Sequence, residues 1–360
     1  MKKKSIILLT VLSALLVIVF SASGIWLSQS LFDNPINYLT FSKGDSYEDV
    51  WKRVQHFEKK GLPKSALALV DSIYLQAKVD SNHAQYVKAL VHKMKYTSRI
   101  EEDATKKIII QLQNEADSSF FPLKPVLHSM MAEMYWMYYQ QNSWTILNRT
   151  ETVGFIPDDI ATWDLKRLVD AVIKNYLASL ENADSLKRTR IDLYDDVLYY
   201  QPGSRKFRPS LYDFLAHRAV DYFRSYEPDI ARPADRFTIA GKEYFCPARD
   251  FTKLEIKTAD TLSLKYYAVK ILQDLLAFHI DDDSAEVWID ADLKRLQLMK
   301  DHSVEPDKDS LYLEALLALE KKAWELPIYT EVAYSIGNEY YQRGALYQPL
   351  ASEENKWMYK

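Results

Sequence analysis

The chain has 360 residues, of which 48% are apolar and 27% charged. That is ample for a packed core and excludes a disordered polypeptide. A formal net charge of −4 is too mild to suggest a nucleic-acid partner, 8 glycines leave little for phosphate-cradling loops, and the single cysteine, Cys246, excludes an internal disulfide framework and any multi-cysteine metal site.

The N-terminus reads as a targeting segment. Lys2, Lys3 and Lys4 precede an apolar run from Ile6 to Phe20, then Ser21, Ala22, Ser23 and Gly24. That is the layout of a secretory signal with a small-residue cleavage site. Residues 5–32 carry no charge, and Ile25, Trp26 and Leu27 prolong the apolar stretch. A span needs roughly 20 apolar residues, so an uncleaved inner-membrane anchor fits as well as a cleaved signal peptide. Either reading keeps the lysines cytoplasmic and predicts an exported, periplasmic protein. No cysteine lies near this segment, so a lipid anchor is unsupported.

A polar linker over 33–46 leads into helical periodicity. Trp51, Val54 and Phe57 are followed across Lys59-Lys60-Gly61-Leu62-Pro63 by Ala66, Leu67, Val70, Ile73, Tyr74 and Ala77. Large residues on one helix, Gly at the turn and Ala five residues later spell one tetratricopeptide (TPR) helix pair. Further helices are expected at 86–96 and 104–112. Pro125 sits in the first turn of the next, which reaches about Gln141. Asp164 caps a helix over 165–180. Another helix is expected at 186–199, ended by Pro202-Gly203.

Leu211, Phe214, Leu215, Ala219, Tyr222 and Phe223 mark a connecting helix within 201–225. Residues 226–262 depart from the pattern. Pro228, Pro233 and Pro247 fall here, with room for a small β-hairpin in which Phe237-Thr238-Ile239 faces Tyr244-Phe245 across Ala240-Gly241-Lys242. Such an excursion is either plain structure or a functional loop. Helical spacing resumes in Leu264, Ala268, Ile271, Leu272, Leu275 and Leu276, then over 311–326 and 329–343, split by Pro327. A second TPR-like helix, 336–344, aligns Gly344 with Gly61, but Pro349 stands where the small partner belongs. The expected fold is therefore all-α. Antiparallel helix pairs form a degenerate TPR-like array in two halves, 47–200 and 263–360, with one irregular insertion and an apolar export helix in front.

No catalytic, cofactor-binding or metal-ligating residue is assigned. Asp281, Asp282, Asp283, Glu286, Asp290 and Asp292 are an acidic cluster without the glycine of a calcium loop, and Asp283-Ser284-Ala285-Glu286 reads as a helix cap with an acidic first turn. His217 and His279 fall on apolar helix faces, where packing or hydrogen bonding is commoner than ligation. Cys246 has one cationic neighbour in sequence, Arg249, which is thin support for a nucleophile. Tyr135, Tyr138 and Tyr139 share a helix face and read as core, with an aromatic binding groove as the alternative. Asn148-Arg149-Thr150 matches a glycosylation sequon, a motif that recurs by chance.

Several segments resemble the N-terminal helical region of large bacterial alpha-2-macroglobulin-like proteins of the Bacteroidetes type. They are Glu58-Lys59-Lys60-Gly61-Leu62-Pro63-Lys64-Ser65-Ala66-Leu67, the stretch 135–150, Ile160-Ala161-Thr162-Trp163-Asp164-Leu165, and 208–219 (Arg-Pro-Ser-Leu-Tyr-Asp-Phe-Leu-Ala-His-Arg-Ala). Full-length members look like protease traps built from β-sandwich domains, a bait region and often a Cys-x-Glu-Gln thioester. Cys246 is followed by Pro247-Ala248-Arg249, which is not that motif, so no trap residue carries over. The resemblance implies an exported, non-catalytic helical interaction or spacer module of an endopeptidase-inhibitor system. Its partner would be a protein or the remainder of a macroglobulin-like chain, with the module being either a truncated frame or a stand-alone relative. Two other readings stay open: a stand-alone envelope scaffold binding a protein or peptide, and a glycan-binding protein similar to the starch-utilisation SusD type.

Overall fold

The structure, a computed structural model, describes residues 39–147, 156, 159–225 and 236–345. Those residues form thirteen α-helices, joined by short 3-10 turns and two isolated β-bridges, with no strand among them. The expected targeting segment, the sequon, residues 226–235 of the insertion and the last fifteen positions lie outside the described residues. No described helix is long and apolar enough to cross a membrane. The chain divides into two compact units at Ala104/Thr105.

The first unit holds α1 (Tyr47–Lys59), α2 (Pro63–Val79) and α3 (His83–Ile100), each packed on the next. Helix α1 starts where Ser46 accepts the Asp49 amide, with Glu48 and Asp49 complementing the dipole of its first turn. Its buried residues, Val50, Trp51, Val54 and Phe57, recur at three and four, so one stripe faces inward. The turn to α2 is a Schellman closure: the Leu62 amide donates to Phe57 O at 3.0 Å and the Gly61 amide to Glu58 O at 3.0 Å. That geometry places Gly61 at φ +68°, where a side chain is strained. Pro63 opens α2, where its missing amide costs nothing. Ala66, five residues past the turn, is completely buried. The turn to α3 repeats the closure through Asn82 N to Ala77 O and Ser81 N to Lys78 O, with Ser81 at φ +52°. Trp51 Nε1 donates to Gln85 Oε1 at 2.7 Å in the buried centre, joining α1 to α3.

The second unit holds ten helices: α4 (Ala104–Ser118), α5 (Leu123–Leu147), α6 (Leu165–Ala178), α7 (Ala183–Arg188), α8 (Leu211–Phe223), α9 (Ala248–Phe251), α10 (Leu264–His279), α11 (Ala285–His302), α12 (Lys308–Ala323) and α13 (Tyr329–Ala345). Helix α5 packs on α6 and α8, α8 on α7 and α10, and from α10 to α13 each helix packs on the next. Asp164 caps α6 by accepting the Arg167 amide. Ser210 and Asp213 close α8 with a reciprocal capping box. Helix α5 outruns its expected end at Gln141, and its Tyr135 and Tyr138 are core while Tyr139 is half-buried. Tyr135 stacks on Trp163 at 5.5 Å between centroids.

Two expectations are corrected. The helix expected over 186–199 is instead the short α7 followed by a 3-10 turn, Ile191–Tyr194. The Ile191 amide donates to Pro209 O and the Leu211 amide to Thr189 O, so the backbone here pairs with the entry to α8 instead of with itself. The β-hairpin expected between 237–239 and 244–245 is absent. Ile239 forms a parallel bridge with Ser303, and Lys242–Phe245 is a 3-10 turn. Ile239 is completely buried, so burial against the end of α11 wins over pairing with Tyr244 and Phe245.

Candidate binding cleft

The irregular stretch from 236 to 262 is braced to the helices at nearly every step. The Val304 amide donates to Ile239 O at 3.0 Å and the Gly241 amide to Glu305 Oε1 at 2.6 Å. Lys242 pairs with Asp307 at 2.6 Å. Arg249 pairs with Asp281 at 2.6 Å and also donates to Ile280 O. Gln273 Nε2 of α10 donates to Phe251 O and Leu254 O, both at 2.9 Å. Phe245, Phe251 and Ile256 bury their side chains.

The central brace is Arg295 of α11, whose side chain is 1% exposed. Its Nε donates to Asp292 Oδ1 at 2.7 Å, Nη1 to Tyr244 O at 2.7 Å and Nη2 to Cys246 O at 3.0 Å. The guanidinium also lies 4.6 Å from the Phe251 ring centre. One buried cation thus satisfies two loop carbonyls that no ladder or helix takes up, and Asp292 neutralises it.

This braced stretch forms one wall of a cleft of about 600 Å³. Phe245, Cys246, Pro247 and Ala248 supply that wall. Ile280 just past α10, Trp288 and Leu296 of α11, and Leu311, Ala315, Ala318 and Leu319 of α12 supply the rest of the apolar lining. Lys242, Arg249, Glu314 and Lys322 are the charges at its margin. Cys246 is half-buried within it, and burial pushes its thiol up against the opposing effect of Arg295. A thiol pushed up from its ordinary value stays protonated at neutral pH, and the nearby charges of Asp250 and Asp292 act in the same direction.

The acidic cluster is dispersed among separate cations. Asp281 meets Arg249, Asp282 meets His279, Glu286 meets Lys206 at 2.9 Å, Asp290 meets Arg208 at 3.2 Å, and Asp292 meets Arg295. The run thus stitches the start of α11 to the segment before α8 and to the irregular wall. Among the described residues no group of three or more His, Cys, Asp and Glu is placed to hold a metal. Ser284 is the N-cap residue of α11, but its side chain makes no capping hydrogen bond.

His279, at the end of α10, lies between two carboxylates: Nε2 is 2.7 Å from Asp213 Oδ1 and Nδ1 is 2.5 Å from Asp282 Oδ2. Burial works against its charge, yet the hydrogen bonds and charges of Asp213 and Asp282 outweigh burial and raise its pKa. Asp213 also accepts from Ser210 Oγ at 2.8 Å. The order Ser–Asp–His–Asp is wrong for nucleophilic catalysis, because the hydroxyl meets the carboxylate and neither imidazole nitrogen is left to take its proton. His217 is buried, and burial drives its pKa well down, with Asp290 3.6 Å away.

A second hollow, about 380 Å³, is lined by Tyr199, Tyr200, Arg205, Phe207, Phe214 and Asp290 among others. Tyr199 is 91% exposed. The Arg205 guanidinium lies 3.8 Å from the Tyr200 ring centre and pairs with Asp195.

Sequence reasoning marked Cys246, Arg249 and Asp292 but missed Arg295. Its only local signal is an Asp-x-x-Arg pair inside an apolar helix. The Ser210-x-x-Asp213 capping box before an apolar run was legible and unread. No family model matches the chain, and no curated protein and no solved structure matches it significantly. What the geometry defines is a class: an all-α protein with an apolar cleft between two helices and a braced loop.

Proposed function

We propose that this protein is a non-catalytic helical binding module, a degenerate TPR-like array exported to the periplasm, that holds a segment of a protein partner in the cleft between the 242–249 wall, α11 and α12. The observation that carries this reading is the cleft: an apolar lining with charged margins, held open by a buried arginine, and no nucleophile and base in contact. Apolar concavities with few polar groups are what binding surfaces look like. Helix pairs that pack mainly on their sequence neighbours, with Schellman turns and a buried Ala66 after the first, support the TPR-like reading of the first unit. The resemblance of 58–67, 135–150, 160–165 and 208–219 to the macroglobulin-like front end supports a partner from that protease-inhibitor system. The basic-then-apolar N-terminus supports export, with residues 5–32 as signal or inner-membrane anchor.

A photo-crosslinking amino acid at Ala318 of the full-length chain, in cells that make it, tests this. The expected adduct joins it to an exported macroglobulin-like polypeptide, identified by mass spectrometry. A chain that forms no protein adduct from Ala318, while one carrying the crosslinker at exposed Lys64 behaves the same, would overturn the reading. A second reading, glycan binding, is favoured by exposed Tyr199 beside the Tyr200–Arg205 stack. Specific retention on a glycan array, lost in Tyr199→Ala, would support that one instead.

A further inference from the structure

The two ends of the cleft are chemically different, and the difference sets a direction. At one end Lys242 meets Asp307, the N-cap residue of α12, and Arg249 meets Asp281 just ahead of α11 at the other. Asp292 and Arg295 satisfy each other beneath the floor. Glu314 and Lys322 are the lining charges left with no ion pair or hydrogen bond among the described residues. They stand two turns apart on α12, about 12 Å at ~1.5 Å per residue. Glu314 faces the Lys242 end, and Lys322 is in the last turn of α12.

In the cleft wall the Tyr244 and Cys246 amides donate to Gly241 O and Glu243 O. Helices α11 and α12 use their own backbone groups, and the wall carbonyls of Tyr244 and Cys246 are taken by Arg295. An extended strand lying here would bury unsatisfied amides, whereas a helix satisfies its own. Ala315 and Ala318 lie between Leu311 and Leu319 and leave room for close approach.

Resting on the reading of this cleft as a protein-binding surface, we infer that its occupant is an amphipathic α-helix running antiparallel to α12, with acidic residues in its first turn beside Lys322 and basic residues in its last turn beside Glu314. The direction follows from the occupant's own dipole. Acids near a helix N-terminus and bases near its C-terminus are stabilising. A parallel helix would need the opposite charges at both ends to match Lys322 and Glu314, against its dipole.

The test uses the full-length chain and two fluorescein-labelled, hydrocarbon-stapled peptides, each with Leu and Ala on one face. One has Glu in its first turn and Lys in its last; the other has these charges exchanged. Fluorescence anisotropy should show the first binding about tenfold tighter, the scale of two exposed charge pairs turned from attraction to repulsion. In the Glu314→Lys/Lys322→Glu chain the preference should invert, with circular dichroism unchanged because both positions are exposed. Equal affinities, the opposite preference in the unaltered chain, an unchanged preference in the exchanged chain, or no binding of either peptide would each overturn the inference. A macroglobulin-like adduct from Ala318 together with equal peptide affinities would leave the binding-module reading standing and remove this one alone.

Discussion

At the scale of single residues, the second unit depends on a buried ion pair that serves the loop more than the helix it sits on. Arg295→Met leaves Asp292 charged and buried and frees the carbonyls of Tyr244 and Cys246. Breaking one partner of such a pair costs about 3–5 kcal/mol. Denaturant unfolding should show that loss, and the double change Asp292→Leu/Arg295→Met should lose less, since no orphaned charge remains. A double variant as unstable as the single one would mean that the carbonyls, not the charge, dominate. Ser81 offers a change of the opposite sign. It occupies the left-handed region at φ +52° that Gly61 occupies in the equivalent turn. Ser81→Gly should raise stability by about 0.5–1 kcal/mol, read as a higher unfolding midpoint. Gly61 was legible in the sequence because Gly before Leu-Pro announces the turn. Ser81 was not, because nothing in Asp80-Ser81-Asn82 says which residue takes positive φ.

At the scale of elements, His279 fastens the end of α10 to the start of α8. Its pKa is raised in the folded protein above the ordinary 6.5. A raised value means that the folded state holds the proton more tightly than the unfolded one. The stabilisation is therefore complete below about pH 6.5 and fades as pH rises through the folded value. An NMR titration of the His279 ring should give a pKa above that of a free histidine; one at or below it would sink the assignment. His92 in α3 works the other way. Burial lowers its pKa to about 4, so its contribution is present above pH 6.5 and is lost as pH falls toward 4. Helices with a continuous apolar stripe, such as α1, α6 and α10, were legible because burial repeats every three to four residues. The 186–199 segment was misread because its buried residues belong to two separate short elements, Leu186 to α7 and Ile191 and Tyr194 to the 3-10 turn after it.

At the scale of the whole molecule, the all-α architecture of the described residues predicts a far-ultraviolet circular dichroism spectrum dominated by helix. A β-dominated spectrum would contradict both the periodicity and the fold. The sequence by itself determined the class of fold, the approximate position of most helices, the absence of a thioester motif and the location of one irregular stretch. These are local properties, set by the spacing of apolar residues and the placement of Pro, Gly and capping side chains. Only the tertiary structure decided what the irregular stretch does. It became a cleft wall instead of a hairpin because Ile239, Phe245 and Phe251 find more complete burial against α11 and its neighbours than a two-stranded turn could give. Arg295, roughly fifty residues away in sequence, completes its backbone hydrogen bonds. Pairings at such separations leave no periodic trace, so the ties of Asp281, Glu286 and Asp290 to Arg249, Lys206 and Arg208 could not be read from the acidic run.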